Sequence, residues 1–228
     1  MPKYAKPNSE AAKPQKRSMT PWIIGAGILF LGLIALTVFM NSPRRSTASV
    51  EAPDVPTEWV ERNVLGNPDA VVTVQTWEDF LCPACQQWAA QMKPRVMEEY
   101  VDSGLVKLEF RHFPLQIHAP GAMMGALATE CAADQDAFWP YHDVVFIEAE
   151  NRGQPGVTLE RLTTYATDLG LDEGEFLQCM NEQRHRDEVN ASVTEALALG
   201  LSSTPTILIN GQPMENPFDY NELKANVD

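Results

Sequence analysis

The chain has 228 residues, 44% of them hydrophobic and 21% charged, a mixture too apolar for a disordered segment and long enough for one domain with additions. Lys3, Lys6, Lys13, Lys16 and Arg17 stand against Glu10 alone in positions 1–20, so the remainder holds 12 basic and 30 acidic residues of the 17 and 31 in the whole chain, a charge of −18. A body that acidic is repelled by phosphate backbones, which sets nucleic-acid binding aside.

Trp22 to Met40 is a run of 19 positions without a charge, rich in Ile, Leu, Val and Phe, long enough to span a bilayer core. Five basic residues precede it and only Arg44 and Arg45 closely follow. The positive-inside rule therefore leaves the tail at 1–21 in the cytoplasm and sends the chain after Asn41 out of it. A cleaved signal peptide, with sites near Ala48 or Ala52, is the rival reading, but its apolar region is usually about 7–15 residues, so the sequence predicts an uncleaved single-pass anchor in the cell membrane. Residues 41–58 contain Pro43, Pro53 and Pro56 without a hydrophobic period and read as a linker. Residues 59–228 remain, an ordinary size for one domain.

In that domain Ala70 to Trp77 reads as a buried strand, Cys85 to Val101 as a helix kinked at Pro94, and Val106 to Phe113 as an alternating second strand, a βαβ unit whose strands should be parallel. Pro120 to about Glu150 reads as helical and split at Pro140, followed by helices over Leu159–Leu169, Asp172–Met180 and Arg186–Leu199. Pro205 to Asn210 is a short strand, Asn210-Gly211 a hairpin turn, and Asn216 to Val227 a last helix predicted to be capped by Asn216 with Pro217 at its first position.

The four cysteines fall into two classes. Cys82 and Cys85 form Cys-Pro-Ala-Cys after a strand and at a helix start, whereas Cys131 and Cys179 stand alone in helical segments 48 positions apart. A thiolate at a helix N-terminus meets the positive end of the dipole and unpaired N–H groups, so Cys82 is the candidate nucleophile, with a lowered pKa. Cys85, one turn further in, is the candidate resolving thiol. A structural disulfide or half a zinc site is the alternative, but zinc sites take closely spaced pairs, and His185 is six positions from Cys179 and His142 eleven from Cys131, so no metal is expected. Cys131 and Cys179 are expected to form a structural disulfide in an oxidising compartment, the other reading being two buried free thiols.

The stretches WEDFLCPACQQW, RHFPLQIHAPGAMMGALATECAADQDAFWPYHDVVF and ALALGLSSTPTILING resemble the DsbA-like thiol-disulfide oxidoreductases of the thioredoxin superfamily. The resemblance implies an α/β thioredoxin fold with a helical insertion, about 117–183, preceded here by the transmembrane helix, and disulfide exchange at Cys82 and Cys85. It also implies that Pro205 is a cis-proline lying against the sulfurs and that the Thr204 backbone pairs with a substrate peptide. Many relatives carry a glycine where Ser203 stands and a carboxylate where Thr76 stands; Glu78 and Asp79 are nearby candidates for that carboxylate, though a cap or dipole partner is the commoner role for such residues. His112, His118 and His142 read as packing or surface histidines, and His185 as lying on a solvated face. The Pro-Ala dipeptide between the cysteines does not give the redox direction, since potentials within the superfamily span roughly −120 to −270 mV. The compartment favours an oxidase of exported cysteine-containing proteins that needs no cofactor of its own and is recycled by a membrane partner of the DsbB or vitamin K epoxide reductase type. A membrane-tethered reductase or isomerase is the alternative, and a non-catalytic peptide-binding module a third.

Overall fold

The computed structural model describes residues 50 and 53–228. The predicted tail and anchor at 1–40, and the linker up to residue 52 apart from Val50, lie outside the described residues; among the described ones no helix is long and apolar enough to cross a membrane.

A run of β-branched residues, Val72, Thr73, Val74 and Thr76, builds the central strand β3, Val72–Glu78; with Val60–Glu61 (β1), Val64–Leu65 (β2), Val106–His112 (β4), Thr206–Ile209 (β5) and Gln212–Pro213 (β6) it forms one sheet in the order β1-β2-β4-β3-β5-β6. β3 and β4 are parallel, with Glu78 opposite His112. β5 runs antiparallel to β3, with Trp77 opposite Thr206. The β1–β2 hairpin was not predicted, because two-residue strands carry no periodicity to read.

The connection between β3 and β4 begins with helix α1, Pro83–Gln91, whose N-cap is Cys82 and whose first residue is proline, a position where the missing N–H costs no hydrogen bond,. Around Pro94 the helix breaks into Lys93–Val96 and a π-type turn, Met97–Val101. Between β4 and β5 lie five helices: α2 (Gly121–Ala133), α3 (Phe138–Arg152), α4 (Leu159–Asp168), α5 (Glu173–Glu182) and α6 (Arg186–Ala198). The division between α2 and α3 falls at 134–137, where Asp136 has φ +58°, and not at Pro140 as predicted. Pro140 sits in the first turn of α3, where its absent N–H has no partner to lose. The last helix, α7 (Tyr220–Val227), is capped by Asp219, which accepts from Asn221 N and Glu222 N at 2.9 and 3.2 Å. Asn216, the predicted cap, instead accepts from Phe218 N in the preceding turn.

Alternation along β3 gives each face its role. Val72, Val74, Thr76 and Glu78 share the face that packs against α1 and the helical block, where Phe80, Phe110, Phe138 and Phe146 interlock; the Phe80 and Phe146 rings are 4.6 Å apart. Trp77 points to the other face, packed with Phe113, Leu208 and Ala196 of α6. The polar Thr76 and Glu78 therefore project into an apolar layer, next to the start of α1.

Candidate active site

The turn from β3 into α1 is held by Asp79. Its Oδ1 accepts from Leu81 N at 2.8 Å, its carbonyl accepts from Cys82 N at 3.0 Å, and its Oδ2 accepts from Leu115 N at 2.9 Å and lies 2.8 Å from His118 Nδ1. One carboxylate thus clamps the cysteine turn to the loop after β4. Both oxygens are engaged, so Asp79 is a structural clamp, and His118, expected only to pack or face solvent, is its partner. The first helical bond runs from Gln86 N to Cys82 O, leaving the Ala84 and Cys85 amides among the orphan donors of the helix start.

Cys82 and Cys85 are both free thiols, with 8% and 0% of their surface exposed. The thiol of Cys85, the Thr204 side chain and the backbone N–H groups of Cys85 and Ala84 all favour the Cys82 anion; they outweigh burial and lower its pKa to about 5,. Burial first, then the Cys82 hydrogen bond and the negative potential of Glu78, push Cys85 well above the ordinary thiol value; the Asp79 amide, 3.5 Å from Cys85 Sγ, opposes this only weakly. The two sulfurs are driven in opposite directions, as a nucleophile and a buried leaving group require.

Thr204 and Pro205 reach the site from the far end of the domain. The Thr204–Pro205 bond is cis, and the Thr204 carbonyl lies 3.4 Å from Cys82 Sγ, positioned to accept from the thiol. Because β5 pairs with β3 and begins at Thr206, the register itself delivers this loop to the cysteine turn. A second cis bond, Ala119–Pro120, was not anticipated.

Beneath the thiols is a polar cluster that pattern reading did not assemble. Glu78 is 2% exposed, its Oε2 has no hydrogen-bond partner, and burial raises its pKa to about 8 while the Thr76 hydroxyl and Lys93 oppose the shift. Lys93, itself 8% exposed, forms a salt bridge with Asp143 and stands over the Trp139 ring at 5.1 Å. His142 Nδ1 donates to the same Asp143 oxygen at 2.7 Å, and burial among aromatic rings lowers the His142 pKa to about 4. Burial would raise the Asp143 pKa, but Lys93 and His142 hold it below the usual carboxylate range. The missed signal for Lys93 was its place on the buried stripe Ala89, Lys93, Val96, Tyr100, at spacings of four and three.

Away from this site a disulfide joins Cys131 of α2 to Cys179 of α5, with Cα atoms 5.8 Å apart and both sulfurs buried. The sequence separation of Cys179 and His185 was misleading: in the fold, ligand atoms of Asp134, Cys179 and His185 lie within 4.8 Å of one another. The Cys179 sulfur is committed to the disulfide, however, and Asp134 pairs with Arg62, Arg184 and His185. His185 does not lie on a solvated face as expected; its side chain is 13% exposed and bridges Asp134 and Glu188 at 2.9 Å each.

Comparison with known proteins gives a consistent set of likenesses. A sequence model of the family described as Thioredoxin matches residues 59–228. The chain is 31% identical over 168 residues to the Probable disulfide bond formation protein D of Bacillus anthracis, covering 72% of this chain and 76% of that one. It is also 31% identical over 210 residues to the Na(+)/H(+) antiporter NhaA 3 of Salinispora tropica, but spans only 31% of that protein's length. Among solved structures, oxidised BdbD from Bacillus subtilis superposes with a TM-score of 0.67 at 27% identity, over 73% of this chain and 90% of that one.

Proposed function

The chain belongs to the thioredoxin family, among its DsbA-like thiol-disulfide oxidoreductases, and from this premise we propose that it oxidises cysteines of exported proteins through a Cys82–Cys85 dithiol/disulfide centre outside the cytoplasm. Cys82 is the exchanging nucleophile and Cys85 the resolving thiol. The observation that carries this reading is the asymmetry of the pair: Cys82 stands at the N-cap of α1 with its sulfur 3.4 Å from the Thr204 carbonyl, and Cys85 lies one turn deeper with none of its surface exposed, so the helix start favours the Cys82 anion while burial keeps Cys85 protonated.

In the oxidised protein a client thiolate attacks Cys82 Sγ. A bond forms between the client sulfur and Cys82, the Cys82–Cys85 bond breaks, and Cys85 leaves with the electron pair and takes a proton. A second client thiolate then attacks the client sulfur of the mixed disulfide, and Cys82 departs as a thiolate. The client is oxidised by two electrons and the Cys82–Cys85 pair is reduced by two. Stabilising the departing Cys82 thiolate favours the reduced form of the centre, which makes its disulfide the stronger oxidant and supports the oxidase direction over the reductase.

Thr204 and the cis-Pro205 form the wall opposite Cys82, and the Thr204 backbone is where an extended client strand would pair. The uncharged run at 22–40 supports a membrane tether, and a tethered oxidase calls for a recycling partner in the same membrane, of the DsbB or vitamin K epoxide reductase type. Replacing Cys85 with Ala is expected to accumulate mixed disulfides between Cys82 and client proteins on non-reducing gels, whereas Cys82→Ala is expected to give none. Trapping by the Cys82 variant alone would reverse the two roles.

A further inference from the structure

Asp79 meets both cysteines with its backbone. Its carbonyl accepts from Cys82 N at 3.0 Å, and its own N–H points at Cys85 Sγ from 3.5 Å. A small rotation of this one residue therefore moves the nucleophile and displaces a donor beside the leaving sulfur. What fixes the angle is the side chain, which is 0% exposed and is bonded to three nitrogens. Two are backbone amides, Leu81 N and Leu115 N, which any sequence would supply. The third is His118 Nδ1, 2.8 Å from Oδ2. A carboxylate only accepts, so the imidazole nitrogen is the donor.

His118 is held in turn by the helical insertion. It closes the 3-10 turn Gln116–His118, and its carbonyl accepts from Gln154 Nε2 at 3.0 Å, in the turn Gln154–Val157 that follows α3. A line of bonds thus runs from Gln154 through His118 to Asp79, and ends on the residue whose backbone meets both sulfurs. Packing fastens the same turn separately. A methyl group added at Gly121, the first residue of α2, would stand 2.7 Å from Leu81 Cδ1, so the residue before Cys82 is seated closely on α2. The cysteine turn therefore keeps its seat without His118, and the histidine bond governs its angle.

We propose that His118 is a positioning residue for the disulfide exchange described above, acting through Asp79 to keep Cys82 and Cys85 aligned for attack. The proposal rests on that exchange. Substitution at a disulfide needs the incoming, attacked and leaving sulfurs close to one line. As the client sulfur bonds to Cys82 Sγ and the Cys82–Cys85 electron pair goes to Cys85, the Asp79 N–H lies beside the sulfur on which negative charge develops,. His118 gives and takes nothing in this step. It keeps the carbonyl and the amide of Asp79 aimed at the two places where the reaction uses them.

The test compares His118→Leu, which removes the donor at similar volume, with His118→Asn, which puts an amide N–H close to where Nδ1 stood. The oxidised protein is mixed with increasing concentrations of a dithiol peptide in a stopped-flow instrument. In His118→Leu the limiting rate should fall about tenfold, short of the hundredfold that roughly 1 Å of misplacement can cost, while the peptide concentration at half-saturation moves less than about twofold. His118→Asn should return to within about threefold of wild type. A folded His118→Leu protein with the wild-type limiting rate overturns the proposal. Equal slowing in both variants also overturns it, since the bulk of the imidazole and not its bond would then be the cause. A loss confined to half-saturation does the same, by placing His118 against the client. If His118→Leu does not fold, Gln154→Met decides: it lacks the donor that steadies the His118 carbonyl, so a roughly threefold fall in limiting rate supports the proposal and an unchanged rate overturns it. A wild-type disulfide that does not exchange with the peptide at all is a failure of the oxidoreductase reading, and it is recognised before any variant is made.

Discussion

Cys82 draws its acidity from groups that only the folded, reduced protein supplies: the Cys85 thiol, Thr204 and the first amides of α1. Because the folded pKa lies below the ordinary thiol value of 9.0, the stability this thiolate contributes is fully present above pH 9, shrinks as the pH falls, and is gone near pH 5,. At pH 7 that amounts to at most roughly 3 kcal/mol in favour of the reduced form, or roughly 60 mV for a two-electron couple. Thiolate ultraviolet absorbance of the reduced protein should therefore titrate with a midpoint about 5; a midpoint above 8 would remove the basis for an oxidising centre. His142 contributes to the pH dependence with the same sign, over a more acid range. Burial lowers its pKa from 6.5 to about 4, so the unfolded chain binds a proton that the native one refuses, and stability falls as the pH drops through that interval. His142→Phe, placed among Phe80, Phe110 and Phe146, should flatten the dependence of unfolding free energy on pH between 6.5 and 4 by up to roughly 3 kcal/mol. An unchanged slope in urea titrations across that range would contradict it. The two environments were not equally legible in the sequence: Cys82 announces itself by its motif, whereas nothing local places His142 near Lys93, 49 positions away.

Among the elements, periodicity located β3, β4 and each of the longer helices, because an apolar stripe or alternation is what burial against one layer demands. It failed where the structure depends on a single bond or on very few residues. The α2–α3 break at 134–137, the Asp219 cap of α7 and the β1–β2 hairpin are of that kind. The Cys131–Cys179 bridge joins two of the helices so located, α2 and α5, across 48 positions. Closing a loop of that length contributes roughly 4 kcal/mol in the chain-entropy model. Replacing both residues with Ala should lower the melting temperature by several degrees and leave the Cys82 titration in place, since the bridge lies outside the thiolate's hydrogen-bonded neighbours. A shift of the Cys82 midpoint in that double variant would mean that the helical block tunes the site. In mild reductant the Cys82–Cys85 disulfide should open first and the buried bridge last; the reverse order would contradict the exposures of the two pairs.

For the molecule as a whole, the candidate site could be read in its nucleophile but not in its closing half. Cys82 and Cys85 stand three apart in the sequence, while Thr204, whose carbonyl meets Cys82 Sγ, lies 122 positions later; only the β3–β5 register brings them together. The tether is the largest expectation still to be measured. Proteolysis of intact spheroplasts should degrade residues 59–228 from outside while a cytoplasmic marker survives, and protection of the domain would overturn the proposed topology. The late arrival of Thr204 also has a consequence in time. A chain is made from its N-terminus, so the dithiol is finished more than a hundred residues before the strand that completes its surroundings. During that interval Cys82 lacks the Thr204 carbonyl that meets its sulfur, and β3 lacks its β5 neighbour. The nascent chain therefore carries both cysteines before the wall opposite them exists, and a copy that ends before about the last ninth of the sequence should lack the Thr204 backbone on which a client strand would pair.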